Sequence, residues 1–93
     1  MDGNFKKYEQ DAELLKVLAH PVRLCIVNGL LNKGKCNVSK MQECLQIPQS
    51  TVSQHLQKLK AAGIIAGERN GLEVSYIVSN ERVKEVVKAL ENI

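Results

Sequence analysis

This sequence predicts a mainly α-helical fold with one β-hairpin, in the order of four helices, two strands and a closing helix. Three observations predict it. Residues 48–63 read as a short helix with a narrow apolar stripe, set close behind another short amphipathic segment. Two strand-like runs then flank an Asn-Gly pair, the strongest short-range hairpin cue. Finally, Val83, Val86, Val87, Leu90 and Ile93 recur at helical spacing to the end of the chain.

The elements follow in order. Asp2 to Lys7 are polar and expected to fray. A first helix fits Tyr8 to Leu18, with Leu14, Leu15 and Leu18 as its apolar edge. Ala19-His20-Pro21 breaks it, and Pro21 suits the first position of a second helix because its missing N–H would be unpaired there anyway. That helix places Leu24, Val27, Leu30 and Leu31 on one side and stops at Asn32-Lys33-Gly34. Asn37 can cap a third helix with Val38, Met41 and Leu45 inward. Gln46-Ile47-Pro48 interrupts it, a fourth helix follows, and Gly63 ends that helix as a left-handed cap residue would. Strands are expected at Ile64 to Glu68 and Leu72 to Val78, joined through Arg69-Asn70-Gly71. In the second strand Leu72, Val74, Tyr76 and Val78 alternate with Glu73 and Ser75. Ser79 or Asn80 caps the last helix.

A helix pair joined by a very short turn is the helix-turn-helix arrangement, with its second member as reader, and a hairpin behind the reader is a wing. Residues 1–93 are thus expected to form one winged helix-turn-helix domain. The terminal stripes are too apolar for so small a core, so a homodimer through the terminal helices is expected to cover them.

Composition narrows the function. The chain carries 13 Lys and Arg against 10 Asp and Glu, a formal net charge of +3, which permits nucleic-acid binding without requiring it. Only three aromatics occur, which disfavours binders built on stacked aromatic platforms. No apolar run reaches membrane-spanning length and the N-terminus does not read as a signal peptide, so a cytoplasmic location is expected. No carboxylate pair, nucleophile-base set or glycine-rich phosphate loop stands out, so neither catalysis nor a cofactor is expected.

On the fourth helix, an advance of 100° per residue puts Val52, Leu56 and Leu59 in one sector and Ser50, Ser53, Gln54, Gln57 and Lys58 broadly opposite. His55 and Thr51 lie on the shoulders. Such a face is either solvated or reads double-stranded DNA, and the surrounding architecture favours DNA. Gln49, Ser50, Ser53 and Gln54, in or beside the first turn, are the base-edge candidates, since amides and hydroxyls serve either hydrogen-bonding sense. Thr51 and Gln57 border them. Lys58, Lys60 and Lys40 are phosphate contacts or solubilising charge, while Arg69 and Asn70 at the wing can reach the minor groove or its phosphates. His55 is expected to be hydrogen-bonded within the fold, and His20 to serve the start of its helix.

The three cysteines, in no Cys-x-x-Cys pair, argue against a disulfide framework. Cys36 and Cys44 are expected beside the apolar side of the third helix as inert thiols. Cys25 falls opposite its helix stripe, exposed or facing a dimer partner. All three are the candidates for a redox response.

Leu18-Ala19-His20-Pro21-Val22-Arg23-Leu24, the Gln49 to Leu56 helix, and Gly71 to Val78 resemble, in that order, the ArsR/SmtB (arsenic-repressor) family. The likeness covers nearly the whole domain. It implies a dimeric repressor on a palindromic operator, released by a metal ion or another inducer. The family's metal sensors carry a Cys-x-Cys where Asn37 and Ser39 stand here, or histidine and carboxylates on the last helix, and Glu81 to Ile93 holds no histidine. The resemblance therefore points to the metal-independent members, with no metal site and an inducer of unknown kind. The competing reading is a winged-helix protein-interaction module without operator binding.

Overall fold

The computed structural model describes residues 1–91; the expectation for Ile93 lies outside the described residues. A short 3-10 turn, Phe5–Tyr8, leads into α1 (Glu9–Leu18). There follow α2 (Pro21–Lys33), β1 (Cys36–Asn37), α3 (Val38–Leu45), α4 (Gln49–Ala61), β2 (Ile65–Asn70), β3 (Glu73–Val78) and α5 (Glu81–Glu91).

Local chemistry sets the helix ends. Ahead of Pro21, the His20 ring Nδ1 accepts from Val22 N at 3.1 Å and caps α2. Gly34, at φ 88°, stops it. The Asn37 side chain accepts from Lys40 N at 2.9 Å and caps α3. Asn80, rather than Ser79, caps α5 by accepting from Arg82 N and Val83 N. At the end of α4, Gly63 (φ 73°) lets its own N–H reach Lys60 O and lets Ile64 N reach Leu59 O, both at 3.0 Å. That pair of bonds is the Schellman arrangement, which pairs carbonyls the helix end leaves orphaned.

The core gathers Val27 and Leu30 of α2, Met41 of α3, Val52, Leu56 and Leu59 of α4, Ile64, Ile65 and Val78 around the sheet, and Val83 and Val87 of α5. Leu18 closes it from α1. The stripe expected on α4 is the buried one. On α2 the inward face is turned slightly: Ile26 is buried, while Leu24 and Leu31 are half-buried at its margins.

Several expectations are corrected. The sheet has three strands, in the order β1-β3-β2, because Cys36 and Asn37 pair antiparallel with Tyr76 and Ser75. Two residues carry no periodicity, so no sequence pattern announces β1; it forms because β3 presents an open edge beside the N-terminus of α3. Cys36 therefore sits in a strand rather than on the third helix, and Cys44 is exposed rather than a core thiol. The hairpin loop has two residues where three were expected: Arg69 and Asn70 extend β2, Asn70 pairs with Glu73, and Gly71-Leu72 form the tip. Gly71 has φ 69° and Leu72 does not have positive φ, so the turn takes its glycine at the first central position, the II′ sign pattern. Leu72 is accordingly fully exposed instead of facing inward. Lastly, residues 5–8 coil into a 3-10 turn where fraying was expected up to Lys7, and the α-helix proper starts at Glu9.

An apolar surface is left uncovered at the two ends of the chain. Phe5, Tyr8 and Leu15 on the N-terminal segment, and Val86 and Leu90 on α5, are all exposed. The two segments are neighbours: Arg82 Nη1 donates to Asp11 Oδ1 at 2.9 Å. This bond and the charge of Arg82 hold the Asp11 carboxyl below its ordinary range.

Candidate nucleic-acid interface

The helix-turn-helix is α3, the turn Gln46-Ile47-Pro48, and α4. Gln46 takes the left-handed conformation (φ 55°), reversing the chain within three residues. Pro48 then opens α4 with φ −58° and ψ 144° and offers no side chain to cap it. An uncapped helix start leaves backbone N–H groups pointing outward, a ready anion site for a phosphate.

The polar face of α4 lies where its sequence puts it. Gln49, Ser50, Gln54, Gln57, Lys58 and Lys60 are exposed, and Thr51 and Ser53 are half-buried on the flanks. Among the described residues none of these side chains is engaged in an intramolecular hydrogen bond or ion pair, so their amides, hydroxyls and ammonium groups remain available to a ligand. Lys58 stands apart from the rest. It borders the groove between α1 and α4, beside Glu9 and Glu13, where carboxylates share its surroundings. Lys40, on the exposed side of α3, sits on the same helix-turn-helix unit.

The wing presents Arg69 and Asn70 at its far end, opposite Val74 and Glu73, and both are exposed. The wing is tied to the helix-turn-helix twice. β1 runs directly into α3 and pairs with β3, and the Asn37 side-chain amide donates to the Glu73 carboxylate. Asn37 thus caps α3 and anchors the hairpin, so reader and wing share one frame. Gly67 lets the neighbouring side chains lie close: a Cβ there would meet Val74 Cγ1 at 3.3 Å and the Tyr76 ring at 3.4 Å, so both would have to give slightly.

Behind the reader lies a brace that sequence reasoning did not identify. Arg23 donates through Nε to Val17 O at 2.6 Å, in the last turn of α1, and its Nη1 lies 3.1 Å from His55 Nδ1 on α4. A guanidinium only donates, so His55 Nδ1 is the acceptor and the ring proton sits on Nε2. The His20 and His55 ring centroids are 4.6 Å apart. Removal from water, with the charges of His20, Arg23 and Lys58 nearby, pushes the His55 pKa below its ordinary value. His55 and His20 therefore fill the structural roles expected of them. The one signal for Arg23 was its place a single turn into the helix that His20 and Pro21 begin, which fixes its side chain between α1 and α4.

Among the described residues no group of His, Cys, Asp and Glu side chains can hold a metal ion, and no single helix is long and apolar enough to cross a membrane.

Comparison with known proteins meets this geometry from outside. The family model described as "Bacterial regulatory protein, arsR family" matches residues 20–66, which span α2 through the start of β2. The chain is 44% identical to the transcriptional repressor PagR of Bacillus anthracis over 96% of its own length and 89% of that protein's. Superposed on the crystal structure of PagR it gives a TM-score of 0.84, covering 94% of this chain and 99% of that one. Reduced HlyU from Vibrio cholerae, 28% identical, superposes with a TM-score of 0.90 over 99% of this chain and 96% of that one. The homodimeric winged helix-turn-helix DNA-binding domain from Mycobacterium bovis, 27% identical, gives 0.81 over 98% of this chain and 83% of that one. With a matching family model across the helix-turn-helix and a relative this similar along nearly its whole length, the chain belongs to the arsR family of bacterial regulatory proteins.

Proposed function

We propose that this winged helix-turn-helix transcriptional regulator is a homodimeric repressor acting in the cytoplasm. Each subunit would set α4 into a major groove of a palindromic operator and lay its wing along the neighbouring backbone. The observation that carries the reading is the unengaged polar face of α4, held rigidly behind by Val52, Leu56 and Leu59 and ahead of an uncapped helix start. Gln49, Ser50, Ser53 and Gln54 would meet base edges, with Thr51 and Gln57 at the border. Lys40, Lys60, Arg69 and Asn70 would meet phosphate or the minor groove. Lys58 contributes to phosphate attraction more weakly, given Glu9 and Glu13 nearby.

Dimerisation through the ends of the chain is supported by the uncovered stripe of Phe5, Tyr8, Leu15, Val86 and Leu90, and by the homodimeric relative from Mycobacterium bovis. A two-fold axis there would present two readers to grooves one helical turn apart. The inducer is a separate matter: Asn37 and Ser39 replace the thiols of the family's sensing pair, which supports a metal-independent regulator.

Footprinting on the DNA upstream of its own coding region, followed by titration across a salt series, tests the proposal. The expected result is a protected palindrome that saturates at two subunits per site and weakens steeply with salt. Binding that ignores salt, or no protection at all, would favour a protein-interaction module instead.

A further inference from the structure

Every thiol in the chain opens onto one cleft. Cys25 comes from α2, Cys36 from β1 and Cys44 from the last turn of α3, and together they line a hollow of about 120 Å³ between those elements. Its inner wall is the buried apolar surface of Ile26, Leu30 and Met41. A dry apolar cavity of about 150 Å³ takes up benzene, so this one suits a molecule of roughly one small ring. Lys33, at the end of α2, is the one charged residue of the lining, and its Nζ donates to Cys44 Sγ at 3.9 Å. The exposed Cys25 has no such partner among the described residues. The ammonium group holds positive charge at the sulfur from which an attack would start.

We propose that this cleft is a modification site for small apolar Michael acceptors, enones or quinones, with Cys44 as the nucleophile and Lys33 as the positioning charge. In the reaction the Cys44 sulfur forms a bond to the β-carbon of the acceptor. The C=C π pair becomes the new double bond between the α-carbon and the carbonyl carbon, and the C=O π pair moves onto oxygen as the enolate. The enolate then takes up the proton that the thiol gave up, so no oxidant or reductant enters. Attached there, the ring occupies the space between α2 and α3. Because α3 packs directly on α4 and joins it through a three-residue turn, displacing α3 from α2 shifts the reader. The effect on DNA rests on the operator-binding reading above; the chemistry at Cys44 does not.

The test treats the whole dimer with cyclohex-2-en-1-one, maps adducts by mass spectrometry over time, and measures operator affinity before and after. Cys44 should be modified ahead of Cys25, and Lys33→Met should slow it about tenfold. Gly29→Leu should also slow it, since Gly29 lines the cleft with open space at its Cβ position and a helix tolerates leucine there. The adduct should weaken operator binding by roughly five- to a hundred-fold in the wild type and leave Cys44→Ser unaffected. Equal rates at Cys25 and Cys44, insensitive to both cleft variants, would overturn the site. Selective modification with unchanged operator affinity would overturn the coupling to the reader. A protein that is modified selectively but never bound DNA would instead refute the operator reading alone.

Discussion

Replacing Arg69 with alanine gives the sharpest check on the wing. Arg69 lies in the last pair but one of the β2–β3 ladder, opposite Val74, and only Asn70, Gly71, Leu72 and Glu73 lie beyond it. It is exposed and forms no ion pair among the described residues, so its charge is at the disposal of a ligand. From Ile65 at the base of β2, four steps at about 3.3 Å per residue carry the arginine roughly 13 Å along the wing. A cation that neutralises one phosphate releases about 0.9 of a condensed counterion on duplex DNA. A two-fold dimer brings two such arginines, so the slope of log affinity against log salt should become shallower by about 1.8. Over a roughly fourfold rise in salt the wild type would then lose about 12-fold more affinity than the variant. Fluorescence anisotropy with a labelled operator, at several salt concentrations, reads this directly. Arg69→Lys should keep the slope. So should Lys84→Ala, whose ammonium group pairs with Glu81 at 3.0 Å on α5, away from the polar face of α4. A slope that Arg69→Ala leaves unaltered would refute wing contact with the backbone.

Other expectations follow from the same structure. Gln54→Ala should cost about 1–3 kcal/mol of operator affinity and relax the sequence preference, as a panel of mutated operators would reveal; a uniform loss across the panel would reassign Gln54 to the backbone. His55, whose pKa lies below 6.5 in the folded protein, binds fewer protons there than in the unfolded chain. Its contribution to stability is therefore complete above that value and is lost as pH falls through the lowered pKa, when protonated Nδ1 would face Arg23. Urea titrations across mildly acidic pH should show this loss in the wild type and a flatter profile in His55→Gln. Gly63→Ala places a side chain where nothing lies within 4 Å, so only the left-handed backbone penalises it, by about 1 kcal/mol, visible as a lower melting temperature. Leu90→Glu, at a side chain 53% exposed on α5, should shift the chain toward monomer in sedimentation equilibrium without unfolding it. An unchanged mass would move the two-fold contact elsewhere.

What the sequence determined by itself is what neighbours in the chain decide. Pro21, Asn37, Gly63 and Asn80 set helix ends because capping acts within a few residues, and the spacing of Val52, Leu56 and Leu59 fixed which side of α4 turns outward. The outward polar face of α4 was legible for that reason. The tertiary structure decided everything that depends on segments far apart in sequence. β1 exists only because β3 offers an edge, and the Gly71-Leu72 turn follows from the register of the whole ladder rather than from the Asn-Gly pair. The Arg23–His55 brace joins residues 32 apart, and the gathering of Cys25, Cys36 and Cys44 on one cleft joins three elements. Periodicity reports which side of an element is apolar; it holds no information on which polar or sulfur-bearing side chain of another element will meet it there.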